Sequence, residues 1–482
     1  MKKLVCFFLA LILSLAFFCG CAGNADSDGS ESRSGSGVKK TKNAAVTDSA
    51  KTDDKGGAEK SGIAAFLEDA AIGDRFTFGA FEQDSNAANG AEPVSWIVIR
   101  RDVGKTLVIS EKVIGYMPFK QGTDEEKYPR SLYKDSDLRA YLNGDFYNGA
   151  FSGAEKEAIL LSKITTEYKD EQYNILQYDT EDKVFVLSRD EAARYVSGVG
   201  NIVFGVPTKS VEEANPYRIE SVSGVDGIES AVPWWLRDMG SDSARCAGYI
   251  PASSEQRRTY DQAVYDSLGV RPAMWIVYNE SDMNAYAKGE IGPKEDEALN
   301  SKIAALKVGD KFEFGVCDKN PYKMDGYEPL TWTVLDEDDE SFLIISDAYV
   351  GKSVFAQKNE SGFGPDETSW AESYLREYIN SEKYSEYLFT PQEKAKFIAT
   401  HVVSTGEDDR TGGAATDDLL FVPDAAEIEK YLGGSAGIGY KYWLRSQSSW
   451  APYIAYADAK GFVYSSSPTE EMGIRLMARI KK

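Results

Sequence analysis

Histidine is almost absent from this 482-residue chain, in which His401 is the only one. A single histidine cannot build a histidine metal cluster, and it weakens any scheme in which histidine activates a serine or cysteine nucleophile. The chain also lacks a phosphate-binding Walker loop, a dinucleotide-binding glycine fingerprint and paired Cys-x-x-Cys motifs. The sequence therefore contains no catalytic motif, and we expect no metal and no cofactor.

Basic residues are too few to balance the acidic ones. The 54 lysines and arginines face 77 aspartates and glutamates, which gives a formal net charge of −23. An acidic surface of this size repels phosphate backbones and anionic lipid headgroups, so nucleic acid and direct membrane docking are poor partner hypotheses. The many carboxylates leave a two-carboxylate hydrolase open, although no pair of them stands out.

The N-terminal segment has the pattern of a secretory signal. Two lysines at positions 2–3 precede residues 4–18, which are apolar apart from one serine. This run is shorter than the roughly 20 apolar residues that a membrane span needs. The run ends in Cys19-Gly20-Cys21, which resembles the lipobox of bacterial lipoproteins, where a small residue precedes a cysteine that receives lipid.

By this resemblance, residues 1–20 are a signal peptide and Cys21 is the acylated first residue of the mature protein. The protein is then exported and held by its lipid at the outer face of the bacterial cell membrane. An uncleaved apolar anchor with an unmodified Cys21 is the alternative. Either version leaves the rest of the chain outside the cytoplasmic membrane.

Cysteines are also scarce after this segment. Only Cys21, Cys246 and Cys317 remain once residues 1–20 are removed. With Cys21 lipidated, no disulfide framework can form, and we expect Cys246 and Cys317 to be small buried apolar residues.

Large apolar side chains are missing from the next segment. Residues 22–60 are mostly Gly, Ser, Ala, Asp and Lys, with no aromatic residue. Such a composition cannot bury enough surface to offset the entropy of ordering the chain. We therefore predict a disordered tether over residues 21–61.

The most informative feature of the remaining sequence is an internal repeat. Similar motifs recur in the same order in both halves, and the matching pairs are 72–79 with 308–315, Trp96 with Trp332, 138–143 with 375–380, 235–237 with 443–445, and 269–271 with 473–475. The spacing between matches shortens through the middle, which indicates an insertion in the first copy near residues 196–232. We predict repeat 1 at 62–279, a linker at 280–300 and repeat 2 at 301–482.

The pattern within each repeat predicts an α+β fold. Alternation of apolar and polar residues indicates strands, including hairpins over 96–110 and 332–346. Capping-box spacing of Ser152 with Glu155 and of Thr390 with Glu393 predicts helices over 153–162 and 391–400. The same spacing recurs as Ser188 with Glu191 and Asp424 with Glu427, which predicts a further helix after a strand at 184–187. Helices and hairpins interleave irregularly, so we expect two divergent copies of a mixed, mainly antiparallel sheet domain.

The two hairpin turns carry opposite charge. Arg100, Arg101 and Lys105 flank the first turn, whereas residues 336–340 of the second turn are mostly acidic. Two turns of opposite charge are poorly suited to the same chemical role. We therefore expect both turns to be solvated.

The candidate ligand-binding residues are arginines and aromatic residues in the repeated motifs or in neighbouring loops. Either Arg237 and Arg445 are tied into structural ion pairs with a helix carboxylate such as Glu155 or Glu191, or they line a ligand cleft. The same alternatives hold for the arginines of the closing strand, and exposed loop rings could stack on sugars or anchor a protein. The full set is Trp234, Arg237, Arg271, Tyr442, Arg445, Trp450, Tyr453 and Arg475.

These motifs resemble a known bacterial family. The Trp-Leu-Arg-Ser segment at 443–446, its variant at 235–238 and the Gly-Val-Arg-Pro-Ala segment at 269–273 are similar to domain of unknown function 6273. Repeat 2 departs from the pattern, with Leu476 and Met477 in place of Pro and Ala. The order of motifs also resembles C-type-lectin-like and formylglycine-generating-enzyme folds, which implies a binding scaffold. The active-site cysteines of the latter enzymes have no match here.

The sequence thus favours a non-catalytic, lipid-anchored surface protein that binds or adheres to a glycan or protein ligand. A structural envelope spacer is a second hypothesis. A carboxylate-dependent hydrolase of envelope or host polymer is the third.

Overall fold

The computed structural model describes residues 43–44 and most of 62–482. The gaps in this description are at 171–173, 198, 200, 215–219, 223–224, 226–227, 241–245, 253–258, 318–326, 360–361, 363, 366–367, 407–411 and 434–435. The predicted signal peptide, Cys21 and most of the predicted tether lie outside the described residues, as does part of the predicted insertion.

The strands of the first half, in chain order, are β1 (Asn43–Ala44), β2 (Arg75–Phe81), β3 (Glu92–Asp102), β4 (Lys105–Ser110), β5 (Gly115–Pro118), β6 (Ser162–Lys169), β7 (Ile175–Asp182), β8 (Glu220–Ser221), β9 (Ser230–Ala231), β10 (Trp234–Met239), β11 (Cys246–Ile250), β12 (Tyr260–Ala263), β13 (Ser267–Val270) and β14 (Ala273–Val277). Those of the second half are β15 (Lys311–Cys317), β16 (Glu328–Glu337), β17 (Ser341–Ser346), β18 (Lys352–Ser353), β19 (Phe397–Ile398), β20 (Thr400–Val402), β21 (Thr416–Asp418), β22 (Tyr442–Gln447), β23 (Ile454–Ala457), β24 (Val463–Ser466), β25 (Met472–Gly473) and β26 (Met477–Lys481).

The helices are short. They are α1 (Gly62–Asp69), α2 (Asp137–Tyr141), α3 (Tyr147–Ala150), α4 (Gly153–Ala158), α5 (Arg189–Glu191), α6 (Lys209–Ala214), α7 (Glu280–Ala287), α8 (Glu297–Ala304), α9 (Tyr374–Ile379), α10 (Glu382–Leu388), α11 (Pro391–Lys394) and α12 (Ala425–Glu427). Single π-helical turns follow α2, α5 and α12, at Leu142–Phe146, Ala192–Val196 and Ile428–Leu432. Among the described residues, no helix is long and apolar enough to cross a membrane.

Each half of the chain contains two five-stranded sheets with matching strand order. The first half has the orders β1-β2-β3-β4-β14 and β12-β11-β10-β13-β5. The second half has β15-β16-β17-β26-β19 and β24-β23-β22-β25-β18. Apart from the end strands β1 and β19, every strand of these five-stranded sheets in one half has a counterpart in the other. Pairing within these sheets is antiparallel except for β1–β2, β10–β13 and β22–β25. The predicted α+β class with mainly antiparallel sheets is confirmed.

The two halves also share the irregularities of their sheets. The β2–β3 ladder shifts register between Thr77 and Ala80, and the β15–β16 ladder shifts between Glu313 and Val316. Further shifts occur at matching places in β3–β4 and β16–β17, and in β10–β11 and β22–β23. A bulge re-aims the strand after it, so matching bulges give both halves the same strand directions.

A glycine stands at the first of these bulges in each half. Gly79 has φ +74° and Gly315 has φ +73°, a region that favours glycine. Each glycine N–H donates to a helix carboxylate, Glu155 for Gly79 (2.8 Å) and Glu393 for Gly315 (2.7 Å). The glycine therefore links the first sheet to α4 or α11.

All four predicted capping boxes are confirmed. Ser152 with Glu155, Ser188 with Glu191, Thr390 with Glu393, and Asp424 with Glu427 each exchange both hydrogen bonds. The helices that they start are nevertheless shorter than predicted: α4 ends at Ala158 and α11 at Lys394. The reason is tertiary, since Ile159 bridges Ile276 and Phe397 pairs with Ile480, so the next residues extend a sheet instead.

Two other local predictions need correction. The segment predicted as a strand at 184–187 makes only an isolated bridge, between Phe185 and Ala273. Within the predicted tether, Asn43–Ala44 pairs in parallel with β2. Both differences depend on backbone pairing with strands that are distant in the sequence. The periodicity of apolar residues does not indicate such pairing.

Each half has its own apolar core. One cluster of buried residues runs from Leu67 to Ile276, and a second runs from Ile303 to Ile480. Cys317 is buried in the second cluster, as predicted for that cysteine, whereas the side chain of Cys246 is outside the described residues.

The expectation that both hairpin turns are solvated is wrong for Arg100. Its side chain is 14% exposed and donates to Glu386 of repeat 2 at 3.1 Å. The guanidinium also lies over Trp275, 5.3 Å from the ring centroid. Lys383 and Glu167 form a second ion pair between the repeats, at 2.9 Å. The positive charge of Arg100 in the first turn thus takes part in a contact between the repeats.

Candidate functional site

The arginines of the Trp-Leu-Arg strands lie inside the protein. Arg237 forms a two-pronged pair with Glu191, and Arg445 forms the same pair with Glu427, at 2.6 and 2.7 Å. Each guanidinium also donates to a backbone carbonyl, of Val186 in one repeat and Val422 in the other. Of the two carboxylates expected for Arg237, Glu191 is its partner, whereas Glu155 accepts a hydrogen bond from the backbone N–H of Gly79.

Electrostatics keep this pair ionised. Burial by itself would raise the pKa of the Glu191 carboxyl, but Arg237 and the backbone amide of Ser188 hold that pKa below its ordinary value. The pair therefore ties the end of β10 to the first turn of α5, and the equivalent pair ties β22 to α12.

The arginines of the closing segment are buried as well. Arg271 donates to the carbonyls of Ser110 (2.9 Å) and Glu111 (3.2 Å), and Arg475 donates to Ser346 (2.9 Å). Burial lowers the pKa of Arg271 to about 9, because carbonyl dipoles replace water and no carboxylate of the described residues is paired with it. These contacts join the two sheets of each repeat.

The aromatic partners of these arginines are equally internal. Trp234 and Tyr442 are fully buried, and each lies 5.3 Å below the guanidinium of Arg271 or Arg475. Their polar atoms donate to the carbonyls of Val203 and Ala436. Six of the eight candidate residues thus form two equivalent internal networks and offer no surface to a ligand.

The other two candidates are exposed. Trp450 is 76% exposed and Tyr453 is 45% exposed, in the turn between β22 and β23. Phe462, which precedes β24, and Val463 and Tyr464, its first two residues, are exposed as well. We call these five residues the aromatic strip. The strip contains five of the 13 exposed large apolar side chains among the described residues, all within 15 positions of the chain.

Sequence reasoning missed the β24 part of this strip. Phe462, Val463 and Tyr464 precede three serines. Strand propensity is high in such a run, so it is easily taken for a core strand. The missing signal is its position, because β24 is the end strand of its sheet, with no strand on its outer side among the described residues.

A second concave site lies between the repeats. A cavity of about 990 Å³ is bounded by the end of α1, the β3–β4 turn, the π-helical turn at Ala192–Val196, the segment 282–294, and residues 386–392 of repeat 2. We call it the inter-repeat cleft. Its size is at the upper end of the range for small-molecule sites.

One group of carboxylates could in principle share a cation. Oxygen atoms of Glu82, Asp84 and Glu92 lie within 4.8 Å of one another. Backbone amides of the same loop already occupy these carboxylates, for example Gln83 N to Glu92 at 2.7 Å. We therefore interpret these three carboxylates as groups that stabilise the loop through hydrogen bonds.

Comparison with known proteins shows that one segment of the chain is similar to a known family. Residues 103–278 match the family model described as Domain of unknown function (DUF6273). This confirms the resemblance for that segment, whereas its extension to repeat 2 stays a prediction. No curated protein and no solved structure matched the chain. The likeness to C-type-lectin-like and formylglycine-generating-enzyme folds also stays a prediction.

Proposed function

We propose that this protein is a lipid-anchored binding protein of the cell exterior that holds a neutral oligosaccharide along the aromatic strip of repeat 2. The observation that carries the proposal is the concentration of exposed rings at 450–464. Exposed apolar side chains scattered singly are normal, but a cluster of them marks a binding surface.

The rings of the strip stand on well-held backbone. Tyr464 faces Tyr456 across the β23–β24 ladder, with ring centroids 5.9 Å apart. The turn that carries Trp450 is closed by a hydrogen bond from Tyr453 N to Trp450 O at 2.7 Å. The Ser465 hydroxyl donates to Ser448 at 2.8 Å and so joins this turn to β24. Rigid aromatic residues lose little entropy on binding.

The chemistry of the strip suits a neutral, hydroxyl-rich ligand. Residues 462–467 are Phe-Val-Tyr-Ser-Ser-Ser, without a charge. Rings can pack on the apolar faces of sugars, while serine and tyrosine hydroxyls can both donate and accept hydrogen bonds. Trp450 and Phe462 lie beyond opposite ends of the four-residue strand β23, so the strip is long enough for several linked sugars.

The equivalent edge in repeat 1 shows that the fold does not require such a strip. There β12 includes Asp261, which pairs with Arg189. Charges on an end strand are a usual protection against unwanted pairing. Repeat 2 lacks this protection, which supports a ligand-binding role for its edge.

The open edge of β24 also favours a second candidate, an extended peptide that adds a strand to the sheet. Main-chain hydrogen bonds would then supply affinity and the rings would contact alternate side chains. This candidate predicts protein ligands and little dependence on sugar identity.

Trp450→Ala and Tyr464→Ala should each weaken oligosaccharide binding by about tenfold or more, as expected for a central aromatic contact worth at least ~1.4 kcal/mol. The measurement is a glycan array with the detergent-solubilised full-length protein, followed by calorimetric titration of the glycans that bind. Melting temperatures should not change, because both side chains are exposed.

Tyr128→Ala and Tyr265→Ala are matched controls, since these exposed rings contact each other in repeat 1 with centroids 5.2 Å apart. Their loss should leave binding unchanged. Saturable binding of proteins but of no glycan would refute the carbohydrate proposal and favour strand addition. Absence of any saturable ligand would favour the envelope spacer.

The anchoring part of the proposal rests on Cys21. Cys21→Ala should move the protein from the membrane fraction to the soluble fraction, because lipid attachment at this residue is the proposed anchor. Cell fractionation with immunoblotting measures this, and Cys317→Ala, a change at a buried cysteine, is the control that should stay with the membrane. A Cys21→Ala variant that remains membrane-bound would contradict the lipid assignment.

A further inference from the structure

The inter-repeat cleft contains an arginine that donates no hydrogen bond to any residue described in the structure. Arg194 lies on the π-helical turn at Ala192–Val196 and lines the cleft. Its side chain is partly buried and forms no hydrogen bond or ion pair with any described residue, and its Nε atom is buried without an acceptor.

This arginine is an exception in the described part of the chain. Every other described arginine that is at least partly buried donates to a carboxylate or a carbonyl. These arginines are Arg75, Arg100, Arg101, Arg139, Arg189, Arg237, Arg271, Arg376, Arg445, Arg475 and Arg479. A desolvated charge is costly unless it is paired, so the missing acceptor calls for an explanation.

The surroundings of Arg194 do not supply that acceptor. The carboxylate that raises the pKa of Arg194 is that of Glu393, whose two oxygens already accept from Gly315 N (2.7 Å) and Thr390 N (2.8 Å). The rings of Tyr327 and Tyr195 lie 5.3 and 5.9 Å from the guanidinium carbon. Burial lowers the pKa of Arg194, because these rings replace water only in part.

We propose that the inter-repeat cleft binds a small organic acid, with its single carboxylate on Arg194 and its apolar or aromatic body against Tyr327. A guanidinium is the side chain that matches a carboxylate with two parallel hydrogen bonds. Acidic residues elsewhere in the lining, such as Asp69 and Asp282, disfavour ligands with several negative charges. The site shares no residue with the aromatic strip and does not depend on it.

Residues of both repeats line this site. Tyr195 and Arg194 belong to repeat 1, whereas Tyr327 and Phe389 belong to repeat 2. A bound acid would therefore contact both repeats and add to the Arg100–Glu386 pair that already joins them.

Fluorine NMR with para-fluorobenzoate tests the proposal, using the detergent-solubilised full-length protein and neutral para-fluorobenzamide as the matched probe. We expect a saturable shift for the acid and at least tenfold weaker binding of the amide, since a hydrogen bond to a charged group contributes about 1.5–3 kcal/mol. Arg194→Met should abolish this preference, whereas Arg194→Lys should keep part of it. Arg130→Met, a change at an exposed arginine of repeat 1, should have no effect.

The melting temperature separates binding from a structural role. Arg194→Met keeps the apolar stem but removes an unpaired charge, so it should melt no lower than the wild type in the absence of ligand. A lower melting temperature would show that the guanidinium stabilises the fold and would overturn the proposal. It would also be overturned if para-fluorobenzoate gave no saturable shift or bound the Arg194→Met variant equally well.

Discussion

Arg237→Leu should lower the free energy of unfolding by about 3–5 kcal/mol, the cost of leaving the other member of a buried ion pair uncompensated. The arginine side chain is 2% exposed and that of Glu191 is 16% exposed, so water cannot fully replace the lost partner. Urea unfolding followed by tryptophan fluorescence measures the change. Because Arg445 and Glu427 form the equivalent pair, Arg445→Leu should have an effect of the same size.

Two comparisons identify the cause of this loss. Arg237→Met combined with Glu191→Leu should recover most of the stability, since an apolar pair of similar volume needs no charge compensation. Lys163→Met breaks an ion pair whose members, Lys163 and Asp179, are 71% and 48% exposed, and it should cost at most about 1 kcal/mol. If Arg237→Leu were as mild as Lys163→Met, the buried pair would not be the link between β10 and α5 that we infer.

Gly79→Ala should destabilise repeat 1 by about 2–5 kcal/mol, through a positive φ and through overpacking together. A Cβ atom at this position would lie 2.7 Å from the carbonyl oxygen of Ala150 and 2.7 Å from the ring of Phe151. The same urea titration measures the effect. Gly315→Ala should behave alike in repeat 2, where the ring of Phe389 is 2.6 Å away.

Gly153→Ala is the matched control for this prediction. Gly153 begins α4, and a Cβ there has no neighbour within 4 Å. Alanine should therefore be neutral or stabilise the fold by about 0.4–1 kcal/mol, because it restricts the unfolded chain. Equal losses at Gly79 and Gly153 would contradict the assignment of a special backbone role to the bulge glycine.

Much of each repeat could be predicted because its signals are local. Capping boxes depend on residues three positions apart, and all four occur as predicted. Alternation of apolar residues identified both long hairpins, β3–β4 and β16–β17. Helix ends were less accurate, because pairing of Ile159 and Phe397 with distant strands stops the helices early.

The candidate site was harder to predict because surface position is not local. Motif repetition drew attention to Arg237, Arg271 and their equivalents, yet these repeated residues are buried supports of the fold. The exposed rings of Phe462 and Tyr464 have no counterparts in the repeated motifs. Arg194 is a candidate only because the structure shows its buried Nε atom without an acceptor. The repeated motifs therefore identified residues that stabilise the fold. The proposed ligand sites instead lie where the two repeats differ in sequence or where they contact each other.

The sequence by itself determined the repeated α+β pattern, the capping of the helices and the acidic character of the chain. These features depend on neighbouring residues or on composition, so they can be predicted from the sequence alone. Only the tertiary structure decided that Glu191 is the partner of Arg237, that Arg100 reaches repeat 2 and that Arg194 faces a cleft. Each of these outcomes depends on which distant groups share a low-dielectric environment, a property of packing in three dimensions.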